Sequence, residues 1–221
     1  SRHSGRSRLG RERMTFAEAR VECAMEQETD HKPTVSRAIL GGSFDPVHRG
    51  HLGMASAVIK AIGVEEVVFV PCFVSPFKDG TLATGEQRFE MLKRAVDDEG
   101  LSWASVSRFE IERESPSYSW QTAAHFVEGE PDTKWHWIMG TDQWDSIEKW
   151  ANPGFLRENL HFIVMTRDGR EVESKKGWSA ISLTYAHPAS STSIRKDFVA
   201  HEEWLTPGVI SFCRESGLYG A

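Results

Sequence analysis

Two histidines three residues apart, His48 and His51, close a run that reads Ala-Ile-Leu-Gly-Gly-Ser-Phe-Asp-Pro-Val-His-Arg-Gly-His-Leu from Ala38 to Leu52. Residues at i and i+3 share a helical face, so a helix beginning near residues 48–50 would turn both imidazoles toward the same point as its free backbone N–H groups. Such a convergence of donors suits an anionic oxygen, a phosphate above all. Ahead of the histidines, Ala38, Ile39 and Leu40 suit a strand covered on both faces. Gly41 and Gly42 let a ligand approach the backbone, and Pro46 stops the strand. A His-x-x-His pair alone fits two histidines on a helix surface equally well; a strand before and a helix after favour a site.

The elements needed to position such a site follow from the apolar pattern. A strand over residues 37–42 is followed by a helix over 50–62, with Leu52, Ala55, Val58, Ile59 and Ile62 as its stripe, and by a strand over 66–70 closed by Pro71. A loop over 72–84 leads to a helix over 85–97, on which Phe89, Leu92, Ala95 and Val96 mark the inner side. A strand near 103–107, a helix over 118–127 and strands over 135–139 and 160–166 continue the alternation. The expected fold class is α/β, a Rossmann-like doubly wound and mostly parallel sheet with helices on both faces and a small helical C-terminal part. Ligands of such sheets sit beyond the carboxyl ends of the strands. The 167–178 stretch, polar and glycine-containing, reads as a loop.

Composition narrows the function classes. The chain has 221 residues, 39% of them hydrophobic, and no run near the roughly 18 apolar residues that cross a bilayer. The formal charge is −6, and because the first 13 residues carry five Arg and one Glu, the remainder holds −10. An acidic body disfavours nucleic acid as a partner, and no membrane partner is indicated. Cys23, Cys72 and Cys213 lack metal or disulfide spacing, which points to a reducing, cytoplasmic setting. Residues 1–36 read as an N-terminal extension, poorly ordered in part, before a domain over 37–221; an organelle-targeting role for the Arg-rich opening is disfavoured. Nothing in the sequence specifies an oligomeric state.

The stretch Gly41-Gly42-Ser43-Phe44-Asp45-Pro46-Val47-His48-Arg49-Gly50-His51-Leu52 resembles the signature of the nicotinate (nicotinamide) mononucleotide adenylyltransferases, within the His-x-Gly-His nucleotidyltransferase superfamily. Four further segments resemble the family in the same order. Pro71-Cys72-Phe73-Val74-Ser75-Pro76-Phe77-Lys78 is similar to a loop that carries a lysine to the phosphates, although Phe77 stands where many members have His. Glu110 to Thr122, with Arg113, Pro116, Ser117, Tyr118 and Ser119, resembles the segment that shapes the pyridine nucleotide pocket. Gly140-Thr141-Asp142 with Trp144 and Trp150 resembles a Gly-x-Asp…Trp pattern, and Ala189-Ser190-Ser191-Thr192-Ser193-Ile194-Arg195 resembles Ile-Ser-Ser-Thr-x-Ile-Arg with Ala first. The closing Leu205-Thr206-Pro207-Gly208-Val209 and Gly217-Leu218-Tyr219 extend the resemblance to about residues 37–221.

The resemblance implies transfer of the adenylyl group of ATP to nicotinate mononucleotide, giving deamido-NAD and pyrophosphate. The implied partners are ATP and a pyridine mononucleotide, with Mg²⁺ arriving on the ATP and no protein metal ligands. Catalytic roles fall to His48, His51, Lys78 and Arg195. ATP binding falls to Gly42, Ser43, Phe44, His48, His51, Gly140, Asp142, Ser191, Thr192 and Arg195; pyridine nucleotide binding falls to Asp45, Lys78, Tyr118, Ser119 and Trp150. Plainer roles fit the same residues: a solvated loop cation for Lys78, helix caps for Ser117, Ser119 and Asp142, and core packing for the tryptophans. No Ser/His/Asp or Cys/His set is evident, and the acceptor's phosphate is already a nucleophile, so direct in-line attack on the α-phosphorus needs no covalent enzyme intermediate. Nicotinamide mononucleotide as acceptor, another nucleotidyltransferase of the superfamily, and a catalytically silent nucleotide-binding protein are the alternatives.

Overall fold

A computed structural model describes residues 35–73 and 82–221. Six strands form one sheet: β1 (Val35–Gly42), β2 (Glu66–Pro71), β3 (Ala104–Val106), β4 (Thr133–Gly140), β5 (His161–Thr166) and β6 (Ala180–Thr184). Their order is β3-β2-β1-β4-β5-β6 and every neighbouring pair is parallel. This is the doubly wound arrangement, in which the winding reverses between β1 and β4 and leaves a crevice there. The β1–β4 ladder runs only to Ile39 opposite Trp137, short of the ends of both strands at Gly42 and Gly140. The two strands therefore end at the mouth of the crevice.

Residues alternate between the faces of a strand, and here both faces are buried. Ala38, Leu40, Val67, Phe69, Ile138, Ile163 and Met165 face one core, and Ile39, Val68, Val70, Trp135, Trp137, Met139, Phe162 and Val164 face the other. The first core is covered by α1 (Arg49–Ile62), α2 (Gly85–Asp98), α7 (Ser191–Lys196) and α8 (Pro207–Ser216), through Leu52, Ala55, Val58, Met91, Leu92, Ala95, Ile194, Val209 and Cys213. The second is covered by α4 (Ser119–Gly129), α5 (Thr141–Ser146) and α6 (Pro153–Asn159), through Ala123, Trp144 and Leu156. A four-residue helix, α3 (Phe109–Glu112), follows β3. Helix α2 begins on a reciprocal cap: the Gln87 N–H donates to Thr84 Oγ1 at 3.2 Å and the Thr84 N–H donates to Gln87 Oε1 at 2.9 Å.

The architecture agrees with the sequence-based expectation, with one added strand. β6 pairs with β5 from Phe162 opposite Ala180 to Thr166 opposite Thr184, where only a loop and a helical tail were expected. As an edge strand it is largely exposed, so its alternation has no hydrophobic core to enforce it. The strand expected near 103–107 shortens to Ala104–Val106, and the helix expected over 118–127 runs Ser119–Gly129.

Candidate active site

The turn from Ser43 to His48 leaves β1 at the crevice and is gripped from several sides. Phe44 takes a left-handed φ of 49° and folds its ring inward, 5.0 Å from the His51 ring and 5.8 Å from that of Phe69. A Cβ on Gly42 would stand 3.1 Å from this ring, so glycine there makes room for Phe44. Asp45 is buried; its carboxylate accepts the N–H groups of Leu82 at 2.9 Å and Ala83 at 3.1 Å and the Tyr219 hydroxyl at 2.5 Å. Asp45, expected to meet a pyridine nucleotide, has its carboxylate engaged inside the chain, where it braces the turn.

Helix α1 then starts at the histidines. His48 is its N-cap, and its N–H donates to His51 Nδ1 at 3.2 Å. The two rings stack with centroids 3.8 Å apart at 22°. Each imidazole thus restrains the other at the helix N-terminus, where backbone donors and the positive end of the helix dipole favour an anion. His48 is buried, and its Nδ1 has no hydrogen-bond partner among the described residues. Burial, reinforced by the nearby His187, pushes the His48 imidazole down to about 4. At neutral pH it is therefore an uncharged ring, which modifies the expectation of a cation there.

Arg195 and the hydroxyl run arrive from the far end of the chain. Ser190 caps α7 by accepting the Ser193 N–H at 3.4 Å, Ser191 donates its hydroxyl to the Pro46 carbonyl at 2.9 Å, and Arg195 donates to the Asp45 carbonyl at 2.7 Å and to Thr192 Oγ1 at 3.3 Å. These groups dock α7 onto the turn before His48. The docking brings Arg195 and the histidine turn together from 150 residues apart, and it uses part of the donor capacity that the sequence assigned to phosphate. Lys78 lies among residues 74–81, outside the described residues.

Beyond β4, Gly140 precedes α5 and its N–H donates to Gln143 Oε1 at 3.2 Å. Asp142 is exposed in the first turn of α5. Trp144 is a core residue whose indole N–H donates to the Glu173 carbonyl at 2.8 Å, tying the β5–β6 connection to the sheet. Trp150 is half-buried, with its indole N–H 3.4 Å from Ser146 Oγ. Tyr118 is 65% exposed and is itself the N-cap of α4, its N–H donating to Gln121 Oε1 at 3.0 Å. Neither Ser117 nor Ser119 therefore occupies the cap; the Ser117 hydroxyl is buried without a partner among the described residues. A cavity of about 340 Å³ opens between Phe73, Thr84, Gly85, Ile111 and Glu112, and neither histidine lines it.

Arg88 and His187 escaped sequence reasoning, and Glu110, which the sequence placed only as the start of the 110–122 segment, has a buried role. Arg88, wholly buried, donates to the carbonyls of Ser43 at 2.8 Å, Cys72 at 2.5 Å, Phe73 at 3.0 Å and Ala83 at 3.2 Å. It knits the turn after β1 to the segments after β2 and before α2, yet in sequence it looks like any charge on an amphipathic helix. Glu110 is buried, accepts the Thr122 hydroxyl at 2.6 Å, and has its carboxyl pushed up by burial. His187 was unremarked because no motif contains it.

Residues 39–197 match the family model described as cytidylyltransferase-like. The chain is 34% identical to a probable nicotinate-nucleotide adenylyltransferase of Staphylococcus saprophyticus over 83% of its length and 97% of that protein. It is 32% identical to one of Clostridium botulinum strain Okra over 84% of its length and 99% of that protein. Among solved structures it resembles the Plasmodium falciparum nicotinic acid mononucleotide adenylyltransferase complexed with NaAD, at a TM-score of 0.67 and 18% identity, covering 84% of this chain and 98% of that one. The last likeness bears on the fold alone. With its histidine turn at the switch point of a doubly wound sheet, and with relatives at this identity over nearly their whole length, the chain belongs to the cytidylyltransferase-like family and, within it, to the nicotinate-nucleotide adenylyltransferases.

Proposed function

We propose that the chain transfers the adenylyl group of ATP to nicotinate mononucleotide, releasing pyrophosphate and forming deamido-NAD, a step of NAD biosynthesis. The observation that carries the reading is the stacked His48–His51 pair at the start of a 14-residue helix, at the crevice mouth, with Arg195 docked on the turn that leads into it. In this reading the triphosphate lies over the start of α1. His51 and the helix N–H groups face its oxygens, and a bound polyanion favours protonation of His48, whose imidazole burial otherwise keeps uncharged at neutral pH. The acceptor's phosphate attacks the α-phosphorus in line, and the new P–O bond forms as the bond to the pyrophosphate breaks. Arg195, Lys78 and the imidazoles offset the charge that builds on the departing pyrophosphate. Gly42, Ser43, Phe44, Gly140, Asp142, Ser191 and Thr192 bound the ATP side, and Tyr118, Ser119 and Trp150 the pyridine side.

Mg²⁺ belongs to this reading as part of the Mg–ATP substrate. Among the described residues no three or more His, Cys, Asp or Glu side chains gather as a metal cage, and the Asp45 carboxylate is already occupied. Divalent magnesium carried by phosphates and water fits that setting. A cytoplasmic location fits the unpaired thiols of Cys72 and Cys213; no helix among the described residues is long and apolar enough to cross a membrane.

The test is pyrophosphate release from Mg–ATP with nicotinate or nicotinamide mononucleotide as acceptor. Faster kcat/KM on the nicotinate form is expected. Equal efficiency on both would remove the acceptor preference, and nucleotide binding without release would replace the enzyme with a silent binder.

A further inference from the structure

The N-terminal half of α1 carries two glycines one turn apart, Gly50 and Gly53, and the segment after β6 lies in the groove they leave. A Cβ on Gly53 would stand 1.9 Å from the Tyr185 hydroxyl oxygen. A Cβ on Gly50 would stand 2.9 Å from His48 Nδ1 and 3.4 Å from His187 Nδ1, so both ring nitrogens crowd one point. Glycine at 53 is what admits the Tyr185 hydroxyl, and glycine at 50 leaves room for the His48 ring with His187 beside it. His48 is covered on one face by the His51 ring, and its buried Nδ1 lacks a partner among the described residues.

We propose that His187 is a positioning residue for His48: its ring closes the Nδ1 side of His48 and so sets how that imidazole meets a bound phosphate. His187 is itself held in place, because its Nδ1 accepts the Ala189 N–H at 3.0 Å, which leaves the proton of the neutral ring on Nε2. Among the described residues, the other charged groups on the surrounding elements have partners of their own. Arg49 pairs with Glu99, the Asp45 carboxylate faces Leu82, Ala83 and Tyr219, and Arg195 bonds the Asp45 carbonyl. Tyr185 lies over Gly53, which leaves His51 and His187, among the described residues, as the titratable neighbours of the His48 ring. A second imidazole that can become positive opposes protonation of the first, as does burial, and the two together hold His48 low. Binding of a polyanion reverses the balance, so His48 gains its charge only when the nucleotide is present.

This inference rests on the reading of His48 as a phosphate-facing residue, and its first measurement is made without ligand so that the two can fail separately. The variants His187→Asn and His187→Gln each keep an oxygen able to accept the Ala189 N–H and remove the titratable ring. NMR titration of the ligand-free protein is expected to show the His48 imidazole titrating at least ~0.5 pH unit higher in both variants. With Mg–ATP and nicotinate mononucleotide, kcat is expected to fall about 10-fold while KM for ATP changes less than about threefold. A purely structural His187 would lower the melting temperature and leave the His48 titration where it was. An unmoved titration in both variants, or an unchanged kcat, overturns the proposal. If wild-type protein turns over neither acceptor, the proposed function falls and the titration alone decides the role of His187.

Discussion

Replacing Arg88 by Met tests whether the histidine turn is anchored by one buried cation. Arg88 is fully buried and reaches four carbonyls, those of Ser43, Cys72, Phe73 and Ala83. Hydrogen bonds from a charged donor contribute about 1.5–3 kcal/mol each, a gross loss of roughly 6–12 kcal/mol. Against this, the substitution relieves the several kcal/mol that it costs to bury a guanidinium, and Met refills most of the volume. We expect a net loss of about 3 kcal/mol, hence a melting temperature lower by about 6–12 °C for a chain of this size. Turnover should fall too, because the Ser43 carbonyl sits on the histidine turn. Arg88→Lys restores the charge without the planar fork and should recover only part of the loss. Calorimetry on the three proteins checks the reasoning, which fails if Arg88→Met melts within about 2 °C of wild type.

Other expectations follow from single contacts. His51→Ala removes a donor at the helix start and is expected to lower kcat by about 10²–10³ with little change in melting temperature; near-normal turnover would count against the assigned chemistry. Tyr219→Phe deletes the hydroxyl bound to the Asp45 carboxylate at 2.5 Å and should cost about 1–3 kcal/mol in urea unfolding at pH 7, with an unmoved midpoint refuting the brace. His48 is held near 4 in the folded protein against an ordinary 6.5, so below pH 6.5 the unfolded chain takes up a proton that the folded chain refuses. Stability should therefore drop as pH falls from 6.5 to 4, by up to about 3 kcal/mol from this group. His136 and His161, also lowered by burial, act in the same direction, whereas the raised Glu110 acts against it. A His48→Gln variant isolates the contribution: its unfolding free energy should depend less steeply on pH than that of wild type, and equal slopes would refute the assignment.

The sheet was legible where strands are buried on both faces. Residues 37–42, 66–70, 135–139 and 160–166 stand out because continuous apolar runs have few other places to go. β6 was missed because Ala180 to Thr184 forms a largely exposed edge, where neighbours do not demand alternation. The histidine turn was legible through its residue types, since strand, glycines, proline and helix stripe all point the same way. Arg88 was not, because a buried arginine and a solvated one look alike until the surrounding carbonyls are placed. The bracing role of Asp45 was not legible for the related reason that its partners Leu82, Ala83 and Tyr219 lie far along the chain, and a carboxylate beside a binding motif can brace the turn as well as face a ligand.

Local chemistry written along the chain determined the α/β alternation, the helix start at His48 and the kind of ligand that such a start attracts. Only the tertiary structure decided which distant groups meet there. Arg195 and Ser191 dock on the turn through the Asp45 and Pro46 carbonyls, Tyr219 closes on Asp45, and His187 comes to lie beside His48 across Gly50. Periodicity reports what one element must bury. Partners more than 130 residues apart are chosen by the packing of several elements at once, and no single stretch of sequence carries that information.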